Sequence, residues 1–379
     1  MQRRQFLKSS LAVSSSLILP VGSARAARGE WVVGQSVDLS GDNQNMGRDY
    51  FTGAKIAFDQ SNLSGGVNGR LWRHVVLDDT GSAELAVANT RRLLREANAN
   101  FLFGYTNEPC VQAVLQSAEL RNAGMALFAP QCGVSFPGDE QRAIYLRATY
   151  GEEIAATLRQ YAEGRITSFM IVHTNALAST AARDAALAVL RERDLPTPAL
   201  KLLSEDGSNM QAVADAVLRA APQVVVILAG TLQAALLTRQ LRSRNPGLFI
   251  CVTSGVDATV FRQLAGPAMS TGVVFSRVVP NPVKGTEPIV REFGRSLTKL
   301  LDETPTTSSL EGYIAARALI QLVQRQGDAK RSERMPVLEA AREVGVLECS
   351  GWRFDFRQGR RASRYADTSI ISRDGGMLG

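Results

Sequence analysis

From Trp31 onward, short runs of β-branched and aromatic residues alternate with longer segments whose apolar residues recur at helical spacing. Strands separated by helices build parallel sheets covered by helices, so this alternation restricts the chain to an α/β fold. WVVGQSVDL from Trp31 reads as a first strand, and Phe51, Ala54 and Phe58 then share one helical face. The Gly-rich loop from Ser64 to Arg70 breaks that helix. LWRHVVLDD, FLFGY and MALFA read as further strands, with Ser82 as an N-cap and Pro109 opening another helix. A second series begins near Ile144, and in it PQVVVILAG reads as a fully buried parallel strand.

Length agrees with two lobes rather than one. Removing 26 leader residues from the 379 leaves 353, more than a single core usually organises. The leader is read from Arg3 and Arg4, followed by Phe6, Leu7 and Lys8, a Ser-rich apolar stretch, and Ala24-Arg25-Ala26. This pattern resembles a twin-arginine export signal, which predicts passage through the twin-arginine translocase and a periplasmic destination. Its apolar part is far shorter than the ~20 residues a membrane-spanning helix needs. Four basic residues of the leader account for part of the net charge of +7, leaving +3, so no nucleic-acid partner is indicated.

Catalytic chemistry is poorly supplied. Only two histidines occur, His74 and His173, each in or beside a strand-like run, and both read as satisfied structural histidines. No P-loop, GxSxG, HExxH or GxGxxG string is present, and no cofactor or metal is implied. Cys110 and Cys132 follow adjacent predicted strands, where either a disulfide or two cleft thiols fits; helix-terminal Cys110 would have thiolate character. Asp78-Asp79 ends a strand and reads as turn chemistry, and RQGRR at Arg357–Arg361 reads as a solvated turn.

Four segments carry a family resemblance: VGQSVDLSG at Val33–Gly41, NLSGGVNGR at Asn62–Arg70, LDDTGSAELAVANTRRLL at Leu77–Leu94, and LEGYIAARALIQLV at Leu310–Val323. Together they resemble the type 1 periplasmic binding proteins of ABC importers, the group that includes the leucine/isoleucine/valine-binding proteins. That resemblance implies two doubly wound parallel-sheet lobes joined by a three-strand hinge. It places residues 27–147 and 277–347 in one lobe and 148–276 and 348–379 in the other, with crossings near Arg147, Ser276 and Cys349. It also implies a small-molecule solute held between the lobes, delivery to an ABC importer permease in the inner membrane, and no catalysis.

The family's contact positions fall on Glu108, Cys132, Gly133, Ala178 and Ser254. Glu108 stands where the family has a carboxylate-binding serine, and beside Pro109 it could cap the helix. Cys132 and Gly133 replace a small residue and a threonine. Ala178 replaces a cleft tyrosine, and Ser254 replaces the ammonium-binding glutamate, so an ammonium meets no acid there. Met46 and Tyr150 are expected as walls, and Asn107 and Thr231 complete the candidate set. The expected solute is small and polar or carboxylated rather than a plain α-amino acid. Two alternatives stay open: a sensor of the same fold that signals to a membrane receptor, and an exported enzyme built on Cys110, Cys132 and Glu108.

Overall fold

The structure, a computed structural model, describes residues 29–136, 138, 141–300, 303–326 and 336–379. The leader, with Arg3 and Arg4, lies outside the described residues.

The first sheet contains β1 (Trp31–Val37), β2 (Trp72–Asp78), β3 (Phe101–Phe103), β4 (Leu127–Phe128) and β5 (Ala143–Ile144), in the order β2-β1-β3-β4-β5. Every neighbouring pair is parallel. β1 is buried along its whole length, as an inner strand covered on both faces must be. Ser82 caps the helix Ala83–Arg95 by accepting the Leu85 N–H at 3.3 Å. In the helix Glu108–Gln116 the cap position belongs to Asn107, so Glu108 is the first helical residue and not the cap.

Two helices cross this lobe at backbone contact. A Cβ on Gly53, in the helix Gln44–Leu63, would stand 1.7 Å from the Ser309 carbonyl oxygen. One on Gly312, in the helix Thr307–Gln326, would stand 2.0 Å from that of Tyr50. The EGY sequence thus encodes a helix crossing that a side chain on either glycine would push apart.

The second sheet contains β6 (Phe169–His173), β7 (Ala199–Leu202), β8 (Val224–Leu228), β9 (Phe249–Val252) and β10 (Val274–Arg277), mutually parallel. Central β8 is buried at every position, which explains its unbroken apolar run. A hairpin follows much later, β11 (Val346–Cys349) and β12 (Trp352–Asp355). The chain then adds β13 (Asp367–Ile371) antiparallel to β10, and β14 (Met377–Leu378) at the edge. The sheet order is β14-β13-β10-β9-β8-β6-β7.

The structure moves one of the predicted crossings. The crossing predicted near Ser276 falls directly after β10, where the chain leaves the second sheet at Arg277 and Val279 already joins the first-lobe core. WRFDF does not return to the second lobe. Leu347, Cys349, Trp352, Phe354, Phe356 and Ala362 share one core with Ile144, Ile320 and Ala341 of the first lobe, so the last crossing lies between Ala362 and Asp367. There it runs beside the first crossing: Tyr145 N donates to the Arg360 carbonyl at 2.8 Å, and Ala362 N donates to the Tyr145 carbonyl at 2.9 Å. Arg361 joins them, with its guanidinium 4.2 Å from the Tyr145 ring and hydrogen bonds to the carbonyls of Val134 and Arg147. This arginine is a staple of the waist rather than part of a solvated turn.

Candidate functional site

The carboxyl ends of both sheets face one another, and the waist between them is charged and buried. Arg147, on the first crossing, is 2 % exposed. Its Nη2 donates to Glu153 Oε1 at 2.8 Å and to Ser254 Oγ at 2.6 Å, and its Nη1 lies 3.6 Å from Glu311 Oε1. Glu153 belongs to the helix Tyr150–Glu163, whose start is fixed by a capping box between Thr149 and Glu152. Its Oε2 accepts from Ser276 Oγ at 2.5 Å and Ser254 N at 3.0 Å. On the first-lobe side Gln131 Nε2 donates to Ser308 Oγ and to Glu311 Oε2. One guanidinium therefore sits between a carboxylate from each lobe.

Electrostatics follow from that burial. Desolvation raises the Glu311 carboxyl above its ordinary range even though Arg147 and Gln131 pull it down. Desolvation acts against the charge on Arg147, but Glu311, Tyr150 and Glu153 outweigh it and hold its pKa above the usual arginine value.

Tyr150 fills the middle of the gap. Its hydroxyl donates to Glu108 Oε1 at 2.8 Å, which ties the second-lobe helix to the first lobe. Two glycines make room for the ring: a Cβ on Gly133 would come within 2.7 Å of it, and one on Gly255 within 2.8 Å of its hydroxyl. Asn107, held at φ 64°, donates to Asp38 and accepts from Asn43, and so locks the loops after β1 and β3 together. Thr231 Oγ1 accepts the Asp257 N–H at 3.0 Å. Ala178 sits in the first turn of the helix Leu177–Glu192 and packs on the core.

Beside this filled centre a cavity of about 500 Å³ opens between the lobes. Met46, Asp49 and the segment Thr304–Ser308 line it from the first lobe, and Ser254, Val256, Asp257, Arg262 and Phe275 line it from the second. Of the nine expected contact residues, Met46 and Ser254 line this space; Asn107, Glu108, Cys132, Gly133, Tyr150, Ala178 and Thr231 do not. Burial raises the Asp49 carboxyl to about 6, against the hydrogen bond from Thr306, and Asp257 and Glu303 push it further up.

Four readings need correction. An acid does stand at the Ser254 position: Glu153, which arrives from a helix rather than from the loop. Cys110 and Cys132 are not bridged, and all four cysteines are buried free thiols. Burial, with Asp79, Asp38 and Glu108 nearby, pushes the Cys110 thiol up to about 12, so it has no thiolate character despite its place at a helix start. His74 is not a satisfied histidine: neither ring nitrogen has a partner, the ring packs 5.1 Å from that of Phe58, and burial lowers its pKa to about 3. Asp78 and Asp79 do serve turns, accepting from the backbone N–H groups of Leu39, Thr80 and Gly81.

Arg147, Glu153, Glu311 and Arg262 escaped the sequence reading as site residues. Glu311 was visible in EGY, but nothing local shows that it points at the waist. Among the described residues no group of three or more His, Cys, Asp or Glu side chains is placed to hold a metal ion, and no helix is long and apolar enough to cross a membrane.

Comparison with known proteins agrees with this architecture. An amino acid binding protein of Pseudomonas aeruginosa is 28% identical over 131 residues, a stretch that spans 34% of each chain, about a third of that relative's length. A substrate-binding periplasmic protein from Ralstonia solanacearum superposes with a TM-score of 0.80 at 25% identity, covering 92% of this chain and 99% of that one. An extracellular ligand-binding receptor from Verminephrobacter eiseniae gives 0.82 at 19% identity, covering 92% and 100%. The family model described as periplasmic binding protein matches residues 30–369, and the chain therefore belongs to the periplasmic binding proteins, a family of solute binders and not of enzymes.

Proposed function

We propose that this protein captures one small polar or carboxylated solute between its lobes and delivers it to an ABC importer permease, after export through the twin-arginine translocase. The observation that carries the reading is the cavity of about 500 Å³ whose walls come from both lobes. Its volume falls within the roughly 300–1,000 Å³ of small-molecule sites. A solute that touches both walls favours the closed arrangement, because only contacts that differ between open and closed states shift that population. A permease that recognises the closed form then reads occupancy from shape.

The waist supports this reading. Arg147 and the backbone hydrogen bonds that join Tyr145 to Arg360 and Ala362 fix the two crossings to each other, and the cavity walls stand on either side of them. The test is a thermal-shift screen of the mature protein against amino acids, carboxylates, amides and amines, with solution scattering on every hit. A solute at ~100 times its Kd adds about 2.7 kcal/mol to stability and lowers the radius of gyration. A library that changes neither quantity would sink the proposal.

A further inference from the structure

We infer that Arg262 is the carboxylate anchor of the interlobe cavity and that the solute is an amphipathic carboxylate. This inference rests on the proposed binding of a solute between the lobes. It begins from an accounting of the charged groups that line the cavity. Arg277 is paired with Asp367 at 2.5 Å. Asp257 accepts from the N–H groups of Thr259 and Val260, capping the helix Ala258–Ala265. Asp374 accepts from Ser372 and from Gly376 N, and Asp49 accepts from Thr306 Oγ1. Arg262, on that same capped helix, is different: its Nε is buried and has no hydrogen-bond partner.

A guanidinium cannot shed its charge in a protein, and no carboxylate among the described residues pairs with this one, so its charge is left for a solute in the cavity to meet. The Arg262 Nε is sealed beneath the Gly375 backbone, so the edge left to a carboxylate is the one formed by the two Nη groups, which offers two parallel hydrogen bonds. Gly375 fixes that group in place. Its φ is +92°, and a Cβ there would stand 2.7 Å from both Cζ and Nε of Arg262, so the backbone lies directly against the guanidinium. Around it the walls are largely apolar, from Met46, Val256, Phe275, Pro282 and Met377. A single cationic fork in an apolar chamber selects a molecule with an anionic head and a hydrocarbon body. Asp49 and Asp257 in the same space disfavour a second negative charge, which makes a monocarboxylate the better fit than a dicarboxylate.

The experiment is calorimetric titration of the mature protein and of Arg262→Gln and Arg262→Lys with hexanoate, octanoate, benzoate and phenylacetate, each beside its primary amide. Succinate and hexylamine complete the set, and unliganded melting curves establish that the variants fold. The expected result is that at least one monocarboxylate binds at least tenfold tighter than its amide. Arg262→Gln then weakens that carboxylate by roughly 10- to 100-fold, the scale of a charge-assisted hydrogen bond, leaves the amide unchanged, and Arg262→Lys recovers part of the loss. The inference is overturned if Arg262→Gln binds the carboxylate as well as the parent does, or if no monocarboxylate binds while an amine, amide or other library solute closes the protein. That second outcome removes the anchor and leaves the cleft reading standing. Failure of every solute class in both melting and scattering removes both.

Discussion

The centre of the cleft and the cavity beside it are built from the same kinds of residue and do opposite things. At the centre, Arg147 meets Glu153, Ser254 and Glu311, while Tyr150 meets Glu108, and no space is left. In the cavity, Arg262 keeps a buried donor with nothing to donate to. The difference teaches that a charge in a cleft is ready for a ligand only when the protein itself has not already satisfied it. Substitution separates the two arginines most sharply. Arg147→Ala leaves two buried carboxylates without their cation and should lower stability by about 3–5 kcal/mol, read from the urea midpoint. Arg262→Gln removes a buried donor that nothing satisfies and should leave the same midpoint unchanged or raise it, by up to about 1 kcal/mol, in the absence of solute. Equal losses would erase the contrast.

The next largest effect concerns the ring that fills the centre. Gly255→Ala places a Cβ 2.8 Å from the Tyr150 hydroxyl, and that group must move and give up Glu108. Overpacking of this kind costs about 1–3 kcal/mol, visible as a lower melting temperature. Double substitution with Tyr150→Phe sharpens the assignment. If the loss arises at the hydroxyl, the alanine should cost clearly less in the Phe background, and an undiminished cost would place the strain elsewhere.

How much of this was legible depended on the range of the interaction. Local signals were: Ser82 declares its helix three residues ahead, and the valine run of β8 declares a strand covered on both faces. The hairpin at Val346–Asp355 was misplaced because alternating Leu347, Cys349, Trp352 and Phe354 say that one face is buried without saying which lobe buries it. The site suffered more. Met46 and Ser254 were reached through the family resemblance, which assigns contact positions beyond the ends of strands; Met46 stands in the first turn of the helix Gln44–Leu63. Glu153 and Arg262 lie on helices, where a charged residue ordinarily reads as solvent-facing, and only the tertiary fold turns them inward. Cys110 misled for the same reason: its helix start argued for a thiolate, and burial, with Asp79 and Asp38 from other segments and Glu108 of its own helix adding to it, reverses that.

A pH series distinguishes the cavity from its surroundings at a smaller scale. Asp49 has a folded-state pKa near 6, above its ordinary 3.8, chiefly through burial. Between these values the folded state holds the proton more tightly than the unfolded chain, so this group's contribution to stability falls as pH rises from about 4 to about 6 and is constant above. Asp49→Asn has no proton to lose. Its stability relative to the parent should therefore climb across that window, by on the order of 1–2 kcal/mol, and level off near neutrality. A gap that stays flat from pH 4 to pH 7 would mean that Asp49 is as well solvated as a surface acid.

The smallest effect is the most discriminating for the division of the cleft. Glu108 accepts from Tyr150 and does not line the cavity. Glu108→Gln keeps an oxygen for that hydroxyl and removes only the charge, so the affinity for any solute that closes the lobes should change by less than about twofold while the melting temperature drops slightly, since a bond to a charged acceptor exceeds a neutral one by roughly 1 kcal/mol. Were the same substitution to weaken a cationic solute tenfold or more, the filled centre would be a binding site in its own right. Tyr150 would then be a side chain that a ligand displaces, and the satisfied network at the waist would be the resting state of the receptor rather than its permanent frame.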